Sequence, residues 1–222
     1  MLLGWATPES REIFSREELI QAFSLQGINR ANSIFDVRTN DPKYFTDPKA
    51  ISINAHYLRT LPVEEIEPYV RTELEKAGLW NPEYEDAKRR WYLDTVQLIR
   101  GRFHVTTDFV SRGRAYFSDD FPIESRALKK NIFKHPDLKK WLPLLADRLQ
   151  ALENFTASET EDTIREMAEE LKIKPGVLIN GIRTAVTGQL AGPGIFDILI
   201  TLGQRRVVDR LRKAPSLFDK YS

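Results

Sequence analysis

Residues 181–203 read "GIRTAVTGQLAGPGIFDILITLG". Both halves carry apolar side chains at helical spacing. The join, Thr187-Gly188-Gln189-Leu190-Ala191-Gly192-Pro193-Gly194, holds three glycines and a proline in eight residues. Glycine admits another backbone or a base at close range, and proline presets φ for the residue that opens the next helix. The pattern predicts helices over 175–187 and 194–213 with a firm break between them. An ordinary connection between two helices, which is the commoner case, explains the break, and so does a surface shaped for another molecule.

Helix signals extend outward from this stretch in both directions. "SREELIQAF" opens on Ser15 with Glu18 three residues on, the spacing of a capping box, and Leu19, Ile20 and Phe23 follow at helical intervals. A helix beginning at Pro62 gathers acids in its first turn, stops at Gly78 and has Pro68 inside it, where a kink or restart is expected. Residues 82–102 put Trp91, Thr95, Leu98 and Ile99 on one helical face, and 106–117 continues as a further helix. Beyond these, helices are predicted over 124–133, 136–153 and 158–172, the last capped by Ser158 with Glu161 reaching back. Residues 28–59 have clustered Asn, Asp and Pro and no helical period over most of their length. They read as an irregular segment with short extended pieces at 33–37 and 49–52. The fold class is therefore all-α, helical bundles with one small irregular, short-strand segment. Turn residues with proline at 78–86 and 118–125 divide the chain into 1–80, 81–120 and 121–222.

Composition narrows the chemistry. The chain has 222 residues, 41% of them hydrophobic and 29% charged, with no cysteine and only three scattered histidines, His56, His104 and His135. A thiol nucleophile and a cysteine-ligated metal are excluded, and no metal site is expected. No apolar run approaches a membrane span, and the opening "MLLGWATPES" lacks the basic start of a signal peptide, so a cytoplasmic location is expected. No phosphate loop, nucleophile elbow, zinc-protease helix or dinucleotide fingerprint is present, and no catalytic residue is assigned. The net charge of +1 conceals segregation. Acids fill 64–86 and 153–170. Basic residues fill 88–90, 100–102, 112–114, 126–140 and 205–213. Such blocks fit a polyanion-binding face and fit solvated, ion-paired helices equally well. Arg100, Arg102, Phe103, His104 and Arg183 have the residue types that stack on and bond to splayed RNA bases, although ion pairing accounts for any one arginine more simply.

Two stretches carry a resemblance. "RTAVTGQLAGPGIFDILITLGQRRVVDRLRKA", 183–214, resembles the C-terminal end of bacterial glutamyl-tRNA synthetases, with its R-x-A-L-T-G followed by P-G-L-F and L-L-G. The opening "LLGWATPESREIFSREELIQAFSL" is similar to the segment that follows the catalytic core in that family. "FD" at 35–36, Lys49 and "INAHYLRTL" at 53–61 look like the intervening motif, with Ser52 where the family has Trp and a longer segment before it.

The resemblance implies a helical anticodon-binding cage. Residues 1–80 would be the remainder of a stem-contact region, and 81–120 and 121–222 two anticodon-binding subdomains. The implied partners are tRNA for glutamate and the N-terminal catalytic domain of the same enzyme, with the chain a monomer. Both adenylate-binding signatures of class I synthetases are missing, so the expectation is a C-terminal fragment, inactive alone and without a cofactor. ATP and Mg would belong to the parent. Carried over by position, Arg102 looks like the reader of the third anticodon base, with Arg100 the choice if the register shifts by two. Arg at that position resembles the type that favours glutamate tRNA over glutamine tRNA. Arg183, Thr187, Gly192, Pro193, Gly194, Ile195 and Phe196 correspond to the turn that packs on the anticodon. Gly192 stands where relatives often have Thr or Ser, which removes any hydroxyl contact there. The rival reading is a helical protein-interaction module whose charged blocks dock a protein partner and whose arginines make ion pairs.

Overall fold

Capping residues, prolines and left-handed glycines set where the helices of this chain start and stop. The computed structural model describes residues 4–5, 11–29, 36–37 and 46–220. These form two compact units, one of residues 1–62 with 103–105, the other of 63–102 with 106–222. Among the described residues no strand occurs beyond a single bridge between Trp5 and Ile28. The all-α class stands.

In the first unit, α1 (Arg16–Ala22) has the full capping box: the Ser15 amide donates to Glu18 Oε2 at 2.7 Å and the Glu18 amide to Ser15 Oγ at 3.1 Å. Arg11, hydrogen-bonded to both Glu18 oxygens, and the Ser15 amide together hold that carboxyl below its ordinary value. No residue of α1 is buried, and Leu19, Ile20 and Phe23 are exposed, so its apolar stripe is not a core face of this unit. The expected extended piece at 49–52 is instead part of α2 (Pro48–Thr60). Asp47 accepts from the Lys49 amide at 2.8 Å and Pro48 occupies the first helical turn, a start signal that outweighs the β-branched residues after it. Tyr57 pins α2 to the preceding chain, donating from its hydroxyl to Phe14 O at 2.6 Å. The extended piece expected at 33–37 and the motif residue Phe35 lie outside the described residues, except for Asp36 and Val37, which have no regular structure.

The second unit opens with α3 (Val63–Lys76), which runs through Pro68 without interruption and ends before Gly78 at φ +66°. The single helix expected over 82–102 is broken. A 3-10 turn, Pro82–Glu85, capped by Asn81, precedes α4 (Arg89–Arg100), because the backbone of Asp86 leaves helical space at φ −134°, ψ −95°. The helix expected over 106–117 is likewise two short ones, α5 (Asp108–Ser111) and α6 (Arg114–Phe117). The segment predicted over 124–133 becomes one turn of helix, α7 (Ser125–Ala127), running into a π-helical turn, Leu128–Ile132.

Next come α8 (Leu138–Gln150) and α9 (Ala157–Glu170), the latter capped by Thr156 rather than Ser158. α10 (Pro175–Thr187) matches its predicted span, whereas 194–213 divides into α11 (Ile195–Leu202) and α12 (Gln204–Lys213) at Gly203, φ +80°. A short α13 (Ser216–Lys220) follows. The core gathers Leu138, Leu142, Leu145 and Leu149 of α8 with Ile164 and Met167 of α9, Leu178 and Ile182 of α10, Ile198 and Leu199 of α11, and Val207 and Leu211 of α12. An aromatic group, Trp80, Tyr84, Trp91, Tyr92 and Phe117, fills the base of α4. The Trp91 indole donates to Thr201 O at 2.7 Å, fastening α4 to α11.

Arg210 joins these helices. Only 6% exposed, its guanidinium donates to Val186 O of α10 (2.5 Å), Ala115 O of α6 (2.8 Å), Ser118 O (2.9 Å) and Asp119 Oδ1 (2.7 Å). Burial alone would raise the Asp119 carboxyl, but the Arg210 hydrogen bonds and charge hold it below its ordinary value. Arg210→Met keeps much of the volume and strands three carbonyls without a donor. The expected loss is about 3 kcal/mol or more of unfolding free energy, measured by urea denaturation; a loss below about 1 kcal/mol would show that the carbonyls find other donors.

Candidate nucleic-acid interface

The Gly188 to Phe196 turn is shaped by steric requirements. Gly188 ends α10 in the left-handed region, φ +71°, and a Cβ there would lie 2.3 Å from Pro122 O. Its own carbonyl accepts from the Glu124 amide at 2.8 Å, and Glu124 Oε2 accepts from the Leu190 amide at 3.3 Å, so segment 121–124 braces one side of the turn. Thr187, 2% exposed, donates to Arg183 O at 2.7 Å and accepts from the Gln189 amide at 3.3 Å. Its hydroxyl is spent inside the turn.

Arg183 spans the other side. Its Nη1 donates to Pro193 O at 2.7 Å, and a Cβ on Gly192 would sit 3.0 Å from that nitrogen. Where the resemblance leads one to expect a hydroxyl-bearing residue, glycine leaves the space that the guanidinium fills. Burial pushes the Arg183 pKa below its ordinary value, Tyr116 acts in the opposite sense, and the neighbouring charge of Arg102 lowers it further. An arginine stays protonated regardless. The charge of Arg102 is thus felt at Arg183. Arg102 is exposed at the end of α4, and its side chain has no hydrogen bond or ion pair among the described residues. Its carbonyl accepts from Arg112 Nη1 at 2.8 Å, and Gln189 donates to the carbonyl of Arg112. A relay of Gln189, Arg112 and Arg102 therefore ties the turn to the end of α4. Nothing in the sequence marks Gln189 and Arg112 for this role, because both bonds run to backbone carbonyls and leave no side-chain pattern.

The remaining expected site residues separate into two groups. Arg100, 8% exposed, faces inward, and burial lowers its pKa. Ile195, 5% exposed, belongs to the core beneath α11 and supplies no apolar wall for a base. Phe196 is half-buried, and Gly192, Pro193 and Gly194 are open to solvent in part or whole. The amides of Ala191, Gly192 and Gly194 have no protein acceptor among the described residues. The Asp197 carboxylate lies over Gly194, where a Cβ would be 2.5 Å from its oxygen, at the start of α11. Arg183, fixed by its bond to Pro193 O, and the free amides of Ala191, Gly192 and Gly194 offer donors at the turn, and the exposed Arg102 adds a cation whose charge reaches Arg183. No cluster of metal-ligating side chains occurs among the described residues, and no helix among them is long and apolar enough to cross a membrane.

Residues 63–215 match the family model described as "Anticodon binding domain". The chain belongs to the anticodon-binding domain family. Among its relatives, a glutamate–tRNA ligase of Desulfotalea psychrophila is 54% identical over 98% of this chain, and a glutamate–tRNA ligase of Thermus thermophilus is 35% identical over 96%. The chain spans 44% and 42% of those proteins, less than half of each. A crystal structure of a glutamate tRNA ligase from Elizabethkingia meningosepticum superimposes with a TM-score of 0.73 at 23% identity, covering 97% of this chain and 39% of that one, which shows a shared fold. The family match begins at Val63, where the second compact unit begins, and contains the whole of the 188–196 turn.

The anticodon-binding domain therefore depends on Gly188 for its turn. Gly188→Ala is expected to cost roughly 1–3 kcal/mol through left-handed strain, and more through the Pro122 contact. Gly176→Ala in the first turn of α10, where a Cβ meets nothing within 4 Å, is expected to gain about 0.5–1 kcal/mol. Thermal and urea unfolding of the two variants side by side measures both; similar stabilities for the two would contradict the account of the turn.

Proposed function

We propose that this chain is the anticodon-reading, non-catalytic part of a glutamyl-tRNA synthetase, which positions tRNA for glutamate on a catalytic core carried elsewhere. The observation that carries this reading is the open Gly192-Pro193-Gly194 turn, held by Arg183 and tied through Gln189 and Arg112 to the chain just after α4, where Arg102 is exposed with no carboxylate in ion-pair range among the described residues. Donors in this arrangement address base edges and phosphates, and a guanidinium plane stacks on an unpaired base. In this reading Arg102 contacts the third anticodon base, while Arg183, Phe196 and the amides of Ala191, Gly192 and Gly194 form the surface against which the neighbouring bases lie. The Arg102 fork favours glutamate tRNA over glutamine tRNA. Arg100, Thr187 and Ile195 serve by shaping this surface from within. The chain itself would need no cofactor and would form no aminoacyl-adenylate; ATP and Mg belong with the catalytic core. The exposed Leu19, Ile20 and Phe23 of α1 accord with a further part of the synthetase covering that face.

Base contacts of this kind are worth about 1–3 kcal/mol each, so selection rests on a few side chains while phosphate contacts supply affinity. Fluorescence anisotropy with labelled anticodon stem-loops of glutamate tRNA, varied at the third anticodon base, tests the assignment. The native chain is expected to prefer one base by roughly 5- to 150-fold. Arg102→Gln is expected to erase most of that preference while leaving the fold intact. A preference that survives Arg102→Gln moves the reading role to another residue, and the absence of any tRNA binding at low salt brings the protein-docking module forward.

A further inference from the structure

The basic blocks of the sequence divide sharply according to the partners their side chains find. In the block at 88–90, Lys88 pairs with Glu83, Arg89 with Glu67 at 2.9 Å and Arg90 with Asp94 at 2.8 Å. Arg112 donates to Arg102 O, and Arg114 to Asp120 O at 2.7 Å. In the last block Arg206 bonds Tyr116 O at 2.8 Å, Arg210 is the buried hub, and Arg212 pairs with Asp147 at 2.6 Å. Arg205 and Lys213 of that block are exposed and unpaired among the described residues, while in the block at 126–140 Lys139 pairs with Asp219 at 2.8 Å and most of the other cations do not pair. Among the described residues Arg126, Lys129, Lys130, Lys134 and Lys140 make no hydrogen bond or ion pair through their side chains, and all five are exposed. Between 125 and 140 the sole carboxylate is Asp137.

The local backbone gathers four of these cations on one side. Ala127, Leu128, Asn131 and Ile132 of α7 and the π-helical turn point into the core, so Arg126, Lys129, Lys130 and Lys134 emerge on the opposite, solvent side. Lys129 and Lys130 lie on the π-helical turn, flanked by Arg126 in α7 and Lys134 just after the turn. This face is also fixed relative to the anticodon turn. Asn131 Nδ2, 5% exposed as a residue, donates to Thr184 Oγ1 of α10 at 3.0 Å, one helical turn before Thr187. Glu124, two residues before Arg126, is hydrogen-bonded to both Gly188 and Leu190. A row of uncompensated cations thus starts beside the open turn and leads away from it on a rigid element.

The geometry points to Arg126, Lys129, Lys130 and Lys134 as a track for the phosphodiester backbone of the RNA strand whose anticodon the 188–196 turn holds. The inference rests on the anticodon-reading function proposed above and assigns the phosphate contacts to one face of the domain. Lysines and an arginine on exposed, flexible stems contact phosphates without reading bases, so this face supplies affinity and no sequence preference.

The test measures binding of the full chain to the glutamate anticodon stem-loop by anisotropy between 50 and 200 mM KCl. It compares the native protein with the quadruple variant Arg126→Gln, Lys129→Gln, Lys130→Gln, Lys134→Gln, and with the control Arg90→Gln, Arg165→Gln, whose native side chains are already paired. Removing one cation from a phosphate should flatten the slope of log K against log salt by about 0.7–0.9, so the quadruple variant should be shallower by roughly 2.8–3.6 in slope with its base preference unchanged. The control should match the native slope. An unaltered slope in the quadruple variant, with circular dichroism showing an intact fold, overturns the phosphate track. Native protein that binds without base preference would sink the anticodon reading instead, whereas the phosphate track would then stand or fall on the slope alone.

Discussion

The fold of the anticodon-binding domain hangs on a buried cation. Arg210 brings its charge into a site that is almost sealed from water and finds there three backbone carbonyls and the carboxylate of the exposed Asp119. Each carbonyl belongs to a different point of the chain: the end of α10, the middle of α6 and the loop after it. Those are the places where helices stop, and stopped helices leave carbonyls without donors. One guanidinium satisfies several of them at once, and its plane also lies 4.6 Å over the ring of Phe121. The segment 118–124 is thereby held between α12 and the end of α10, and it is this segment, through Pro122 and Glu124, that presses against Gly188 and Leu190.

The geometry of the turn therefore comes from its supports. Gly188 must be glycine both because its φ is positive and because Pro122 O occupies the space of a side chain. Gly192 leaves room for the Arg183 guanidinium, which then bonds Pro193 O and holds the turn open. What stays outward is a short run of unbonded amides and two neighbouring cations. The turn itself is preorganised: its amides and the Arg183 guanidinium are already fixed, so a bound base does not have to order them, whereas the exposed Arg102 side chain is not held in advance.

Charge is handled in the same way. A net charge of +1 looks indifferent, and many of the basic residues are in fact paired within the domain with acids one helical turn away or on a facing helix. Such exposed pairs contribute little stability each, but they remove their members from competition for an RNA strand. Cations left without partners among the described residues include Arg102 and the run Arg126, Lys129, Lys130 and Lys134 on the segment that braces the turn, with others such as Lys172, Lys174, Arg205 and Lys213 elsewhere on the domain.

By itself the sequence determined the helical class, because apolar spacing, capping serines and helix-opening prolines are local signals that need no partner. It determined the α10 span and the glycine-rich break for the same reason, and the motif at 183–214 pointed to the anticodon-binding family. Tertiary structure decided the rest. Whether 82–102 and 106–117 were whole helices depended on how the chain had to bend around the aromatic group, and whether 49–52 was extended depended on the Asp47 cap outweighing β propensity. The site residues divided on burial: Arg102 is exposed and Arg183 partly so, while Arg100 and Ile195 face the core. An arginine in a sequence looks the same whether it binds RNA, bridges a carboxylate or, like Arg210, gathers carbonyls from three segments. The difference is made by neighbours far away along the chain, which only folding brings together.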